Sequence, residues 1–303
     1  MKVWLDLTQA ELDAAYDQSA YAPNREQILG RNALNSERAR ARLGAPKRYA
    51  YGPTAVEGLD VYATNKAGAP VNVFIHGGAW RGSVARNNAI AAELFVNAGA
   101  HYVVPDFAWV QDVGGSLFVL ADQVRRAIAW VHGHAADFGG DPQRIYVSGF
   151  SSGAHLAGVL LTTDWPKDFG LPADLLKGGL CISGMFDLKA VRLSSRSTYV
   201  AFTDEMEHAL SPQRHLDTLL APVIVAHGTF ETPEFQRQSR DFAAAVRAAG
   251  KPVDLLVGEG YNHFELYETL ANPYGLLGRA VLEQMGLSVA RHEAGHVAPH
   301  RIA

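Results

Sequence analysis

The sequence predicts an α/β fold: a mostly parallel sheet covered by helices on both faces. Three observations point there. From about residue 58 onward, short β-rich apolar runs alternate with stretches of helical periodicity, the pattern of strands joined by crossover helices. Residues 144–160, RIYVSGFSSGAHLAGVL, read as a strand that turns at once into a helix through Gly149-Phe150-Ser151-Ser152-Gly153, a G-x-S-x-G pattern. Residues able to do chemistry recur just after strands, and in a parallel sheet the carboxyl ends share one edge. The chain has 303 residues, 48% of them hydrophobic, and no Pro/Gly/Ser-rich linker or repeat, so a single domain over 1–303 is expected.

The elements follow in order. Residues 1–45 are rich in Ala, Glu, Arg and Leu, with Thr8 and Glu11 spaced as a capping box, and read as a helical arm outside the sheet that is a candidate lid. Short β-rich runs at 48–51 and 58–64 precede a strongly apolar strand at 71–75, then His76-Gly77-Gly78-Ala79-Trp80 and a helix over 85–98. A strand at 102–104 ends at Pro105-Asp106. The next helix carries Leu117, Leu120, Val124, Ile128 and Val131 at three- and four-residue spacings. After the elbow come a strand at 178–182, an irregular insertion over 185–220, and a strand at 223–226 opened by Pro222. A helix over 233–249 stops at Gly250, and a last strand at 253–257 leads through a loop to His263. One or two helices end near Met285, leaving 287–303 as an expected flexible tail.

Composition removes several function classes. Twenty-seven basic against 31 acidic residues give a net charge of −4, no footprint for nucleic acid. The one cysteine, Cys181, precludes an internal disulfide or a multi-cysteine metal site and reads as a core thiol. No stretch approaches 18 uninterrupted apolar residues, and the first residues lack the apolar core of a signal peptide. A cytoplasmic protein with no membrane partner is therefore expected.

A serine hydroxyl becomes a nucleophile only when a base takes its proton and an acid orients that base. Ser151, held on the strained turn, is the candidate nucleophile. His263 follows the last strand, in the chain order serine, acid, histidine that suits this architecture, and is the candidate base. His227 is expected to be structural, and His155, one turn into the elbow helix, to pack or cap. Glu231 and Glu234 compete as the acid. Pro233 suits the first turn of a helix, which places Glu234 where the helix dipole explains a carboxylate, so Glu231 is preferred. Candidate oxyanion donors are the N–H of Ser152 and those of the Gly77-Gly78 pair. Trp80, Phe150, Trp109 and Tyr261 lie on or beside these loops as candidate pocket walls, with core packing as the alternative. His292-Glu293-Ala294-Gly295-His296 matches H-E-x-x-H, but its internal glycine and place near the chain end argue against a catalytic zinc site. No metal and no cofactor are expected.

With these residues in place, the stretch from about 50 to 285 resembles an α/β-hydrolase. HGGAW, GGDPQRIYVSGFSSGAHLA and the late NHF are similar to the branch of hormone-sensitive-lipase-like esterases and kynurenine formamidases (arylformamidases). LTQAELDAAY, ETPEFQRQSRDFAAAV and YNHFELYETL resemble the formamidase side. The resemblance implies a triad of Ser151, Glu231 and His263, oxyanion donors at Gly77, Gly78 and Ser152, and hydrolysis of the N-formyl amide of an aromatic amine without a cofactor. The expected partner is thus a small aromatic substrate, with a homodimer left open. Members often carry aspartate where Glu231 stands, and PDFAWVQDVGG replaces their tyrosine-arginine-leucine pattern. Plain carboxylesterases share the same motifs, so a short-chain carboxylesterase is the alternative, and a non-catalytic binding module of the same fold is a second.

Overall fold

The computed structural model describes residues 1–288. The HEAGH pattern at 292–296 and all but the first two residues of the 287–303 tail lie outside the described residues. In chain order the elements are β1 (Lys2–Trp4), β2 (Leu7–Thr8), α1 (Gln9–Ala15), α2 (Arg25–Leu43), β3 (Lys47–Ala50), β4 (Gly58–Tyr62), β5 (Ala69–Ile75), α3 (Ala92–Ala98) and β6 (His101–Pro105). They continue with α4 (Leu117–His134), β7 (Gly140–Phe150), α5 (Ser152–Leu161), α6 (Trp165–Phe169), β8 (Leu176–Ile182), α7 (Leu188–Leu193) and α8 (Asp204–Ala209). The last are β9 (Val223–Phe230), α9 (Pro233–Ala248), β10 (Val253–Asn262), α10 (His263–Glu268) and α11 (Leu276–Gln284).

Eight strands form one sheet in the order β10-β9-β8-β7-β5-β6-β4-β3. β5 to β10 run parallel, and β4 runs against them, so its pairings with β6 and with the edge strand β3 are the antiparallel ones. Alternation along each strand feeds two cores. On β5, Val71, Val73 and Ile75 pack with Leu120 and Val124 of α4, Leu156 of α5 and Phe242 of α9. Phe74 faces the other way, toward Phe95 of α3, Leu266 of α10 and Val281 of α11. Central strands are buried on both faces, which is why 71–75 reads as a hydrophobic run broken only by Asn72, whose buried amide donates to Ser148 Oγ at 2.8 Å.

Four expectations change in detail. The arm begins with a two-stranded ribbon, β1 against β2, before Thr8 and Glu11 close the expected capping box on α1. The helix over 85–98 divides into a 3-10 stretch, Ala85–Ala91, and α3, because Asn88 leaves helical dihedrals. Its amide donates instead to Ser83 Oγ at 2.9 Å and the Val84 carbonyl at 2.8 Å, the local competition that lets asparagine interrupt helices. β10 runs past Val257 to Asn262, with its register shifted between Gly258 and Asn262, so the expected loop before His263 is strand. The 185–220 insertion holds two short helices, α7 and α8.

Helix α5 must cross β5 closely enough to hold Ser151 at the sheet edge, and Gly153 makes that crossing. A Cβ there would stand 2.1 Å from the Ile75 carbonyl oxygen and 2.5 Å from that of His76. The Gly153→Ala variant is expected to lose on the order of 3 kcal/mol of stability, since backbone on both sides leaves the methyl nowhere to go. Urea unfolding measures this; a midpoint equal to wild type would contradict the crossing geometry.

Candidate active site

Ser151 sits between β7 and α5 at φ 56° and ψ −123°, a conformation that non-glycine residues adopt only under constraint. Its N–H donates to the Ile182 carbonyl at 2.8 Å, tying the turn to β8. Beyond β9, Glu231 is fully buried, and its carboxylate is filled with donors. Oε1 accepts from Ser183 Oγ and from the Gly228 N–H, each at 2.6 Å, and Oε2 meets His263 Nδ1 at 2.9 Å. A carboxylate withdrawn from water is tolerable only with such partners.

His263 opens α10, whose N-terminus is closed by a capping box between Asn262 and Glu265. Phe150, Phe235 and Phe264 surround the imidazole at centroid distances of 4.7, 5.1 and 5.1 Å. With Nδ1 committed to Glu231, Nε2 is the nitrogen left for a cavity of about 770 Å³ that Ser151 also lines. Gly77 and Gly78 line the same cavity. Gly77 has no room for a side chain: a Cβ would stand 2.9 Å from the Phe150 carbonyl oxygen and 3.2 Å from Ser151 Cβ. The N–H groups of Gly77, Gly78 and Ser152 donate to no other backbone carbonyl among the described residues. The arrangement can activate a hydroxyl, orient its base and offer free donors to a developing oxyanion.

Other candidates go elsewhere. Glu234 pairs with Arg237 through two bonds of 2.7 and 2.8 Å and accepts from the Tyr16 hydroxyl at 3.1 Å, so it faces away from His263 chemistry. His227 is buried with Nδ1 near its own neighbour's carbonyl, Gly228, at 3.2 Å. Of the four aromatics proposed as pocket walls, Phe150 lines the cavity and the other three do not. Trp80 is buried, its indole N–H donating to His155 Nδ1 at 3.2 Å. Trp109 is half-exposed and donates to the Ser83 carbonyl at 2.9 Å, and Tyr261 lies on the outer end of β10. The walls come instead from Tyr16, Tyr199, Phe235, Phe264 and Tyr267. Ser183 was also missed, although its place just after a central strand was a usable signal.

The arm and the insertion roof the cavity together. Gln9 donates to the Leu193 carbonyl at 2.8 Å and Asp13 accepts from the Ser195 N–H at 2.6 Å, which latches one to the other. The arm is also tied to the neighbours of Glu231 and His263: Thr232 Oγ1 donates to the Ala15 carbonyl at 2.6 Å, and Asn24 donates to Glu265 at 2.7 Å.

The BD-FAE family model matches residues 59–176. Kynurenine formamidase of Danio rerio is 28% identical over 95% of this chain and all of its own length, and that of Salmo salar is 27% identical over the same shares. Isoprenylcysteine alpha-carbonyl methylesterase of Arabidopsis thaliana is 27% identical over 72% of this chain and 56% of its own. Among solved structures, an esterase of Thermogutta terrifontis has a TM-score of 0.67 at 22% identity, covering 83% of this chain and 96% of its own. The chain has the α/β-hydrolase fold, and the relatives it resembles are formamidases and esterases. It is a serine hydrolase, and among the described residues of this hydrolase no helix is long and apolar enough to cross a membrane.

One buried histidine of the hydrolase couples its stability to pH. His155 on α5 takes the Trp80 N–H on Nδ1 and donates from Nε2 to the Leu210 carbonyl at 2.7 Å, so the neutral ring is satisfied. Burial outweighs the pull of that carbonyl and pushes its pKa down from 6.5 to about 4. The unfolded chain therefore takes up this proton first. Stability that is complete above pH 6.5 is lost as the pH falls toward 4, by up to about 3 kcal/mol, and His76 and His101, both lowered by burial, act in the same direction. Urea unfolding across this window should show a shallower pH slope for His155→Gln than for wild type; equal slopes would contradict it.

Proposed function

We propose that the protein hydrolyses a small acyl amide of an aromatic amine, in the manner of a kynurenine formamidase. The observation that carries this reading is the cavity: a serine, a histidine with its buried glutamate and free N–H donors lie at its floor, and six aromatic side chains, Tyr16, Phe150, Tyr199, Phe235, Phe264 and Tyr267, line it. Apolar walls with a few fixed polar groups suit an aryl substrate. The full-length match to the two formamidases supports the same reading, whereas the methylesterase aligns with 72% of the chain.

In this mechanism His263 Nε2 takes the proton of Ser151 Oγ as the oxygen attacks the formyl carbon. Glu231, fixed by Ser183 and Gly228, holds the imidazole by Nδ1 and stabilises its positive charge. The oxyanion accepts from the N–H groups of Ser152 and the Gly77-Gly78 loop. The C–N bond then breaks as His263 returns the proton to the leaving amine, leaving a formyl ester on Ser151. A water molecule, deprotonated by His263, attacks that ester; the bond to Ser151 Oγ breaks as His263 returns the proton to that oxygen, releasing formic acid, which ionises to formate.

Ser151→Ala and His263→Ala should each lower turnover by about 10⁴-fold or more, and Glu231→Gln by about 10³-fold. Glu234→Gln should cost far less, and a larger loss there than at Glu231 would overturn the assignment of the acid. The substrate class is tested by comparing kcat/KM for N-formylkynurenine and p-nitrophenyl acetate. A clear preference for the formamide is expected; turnover of the ester alone would instead favour a short-chain carboxylesterase.

A further inference from the structure

The cavity carries a charge that the hydrolytic chemistry does not use. Among the described residues its lining holds three arginines, Arg25, Arg81 and Arg196, against a single carboxylate, Asp17, in a chain whose overall charge is −4. Two of the arginines are accounted for. Arg25 reaches Glu26 at 3.4 Å with nearly half of its side chain in water, and Arg81 is exposed and lies over the Tyr199 ring. Asp17 already serves as the cap of the 3-10 turn Gln18–Ala20, accepting from the Ser19 N–H at 2.9 Å.

Arg196 differs. It sits in the 3-10 turn Ser195–Thr198 of the roof and is only 9% exposed. Among the described residues its two hydrogen bonds go to uncharged oxygens, the Tyr199 hydroxyl at 2.7 Å and the Tyr16 carbonyl at 3.2 Å, and Nε has no partner. The faces of Tyr16 and Trp80, at 5.8 and 5.7 Å, give it partial compensation. A guanidinium offers five donors in a planar fork shaped for a carboxylate; Asp17 acts on it only through space and forms no ion pair with it among the described residues, and a buried cation with no hydrogen-bonded counter-ion is costly. Such a group is stabilised most by a ligand that brings the missing anion.

We propose that Arg196 is a specificity-determining residue that binds a carboxylate on the substrate, so that the preferred substrates are acyl aryl amines carrying an anionic group remote from the scissile bond. This rests on the reading of the cavity as a hydrolytic site for aryl substrates. The same enclosure that fixes the arginine, with Tyr199 and Tyr16 on either side, makes the anchor part of the roof. The acyl end lies at Ser151 and the anionic end beneath the junction of arm and insertion.

The test compares N-formylkynurenine with its α-carboxamide, which removes the charge and keeps the shape. Wild type should show a KM about 10- to 100-fold lower for the acid, the span expected of hydrogen bonds to a charged group, with kcat changing much less. In Arg196→Met that ratio should fall toward one, and in Arg196→Lys it should be partly retained. Should the methionine variant not fold, the wild-type ratio and the lysine variant decide. A wild-type ratio near one, or a ratio unchanged in Arg196→Met, overturns the proposal. If neither formamide is turned over, the formamidase reading fails separately, and the anchor is read from inhibition of p-nitrophenyl acetate hydrolysis by kynurenine and its carboxamide. Stronger inhibition by the acid, lost in Arg196→Met, then supports the anchor, and equal inhibition overturns it.

Discussion

The arrangement depends on one buried carboxylate. Glu231 has no contact with water, and its place is fixed by Ser183 at the end of β8, Gly228 near the end of β9 and His263 at the end of β10. Those groups come from three adjacent parallel strands, and a fourth, β7, ends at Ser151. Remove the parallel register and the donors scatter, leaving an unpartnered charge in the interior. The sheet, the crossing of α5 over β5 and the orientation of the imidazole are thus linked through a single requirement for satisfied hydrogen bonds.

A second layer of structure surrounds this centre. The arm contributes Tyr16, whose hydroxyl bonds to Glu234 and whose carbonyl bonds to Arg196, while its ring stands 5.9 Å from that of Phe235. Phe235 in turn packs on His263. Glu234 is therefore occupied in holding the roof to α9 through Tyr16 and Arg237, while Glu231, three residues earlier, holds the histidine. Two carboxylates so close in sequence take different work because one precedes the helix and the other lies in its first turn, beside Arg237.

The sheet and its edge were legible in the sequence because they rest on local signals. Central strands announce themselves as apolar runs, and the elbow is written in consecutive residues, G-F-S-S-G, whose glycines are demanded by contacts a few ångströms away. The pocket walls were not legible. Trp80 and Trp109 stand near the candidate site loops in sequence, but burial against His155 and a bond to the Ser83 carbonyl direct them elsewhere. Tyr16, Arg196 and Phe235 are far from Ser151 in sequence and reach the cavity through the packing of the arm, the insertion and α9, which no periodicity reports. The strand extension to Asn262 was hidden for a similar reason: Gly258 and Gly260 read as loop, and the pairing with β9 that overrides them is non-local.

The central claim is that Ser151 is a nucleophile made reactive by His263 and Glu231. The most direct measurement is labelling of the folded protein with a serine-directed fluorophosphonate, followed by mass mapping of the adduct. The account predicts one adduct, on Ser151, with labelling abolished in His263→Ala and slowed in Glu231→Gln. Absence of labelling at Ser151 in folded, active protein, or equal labelling when His263 is removed, would contradict it.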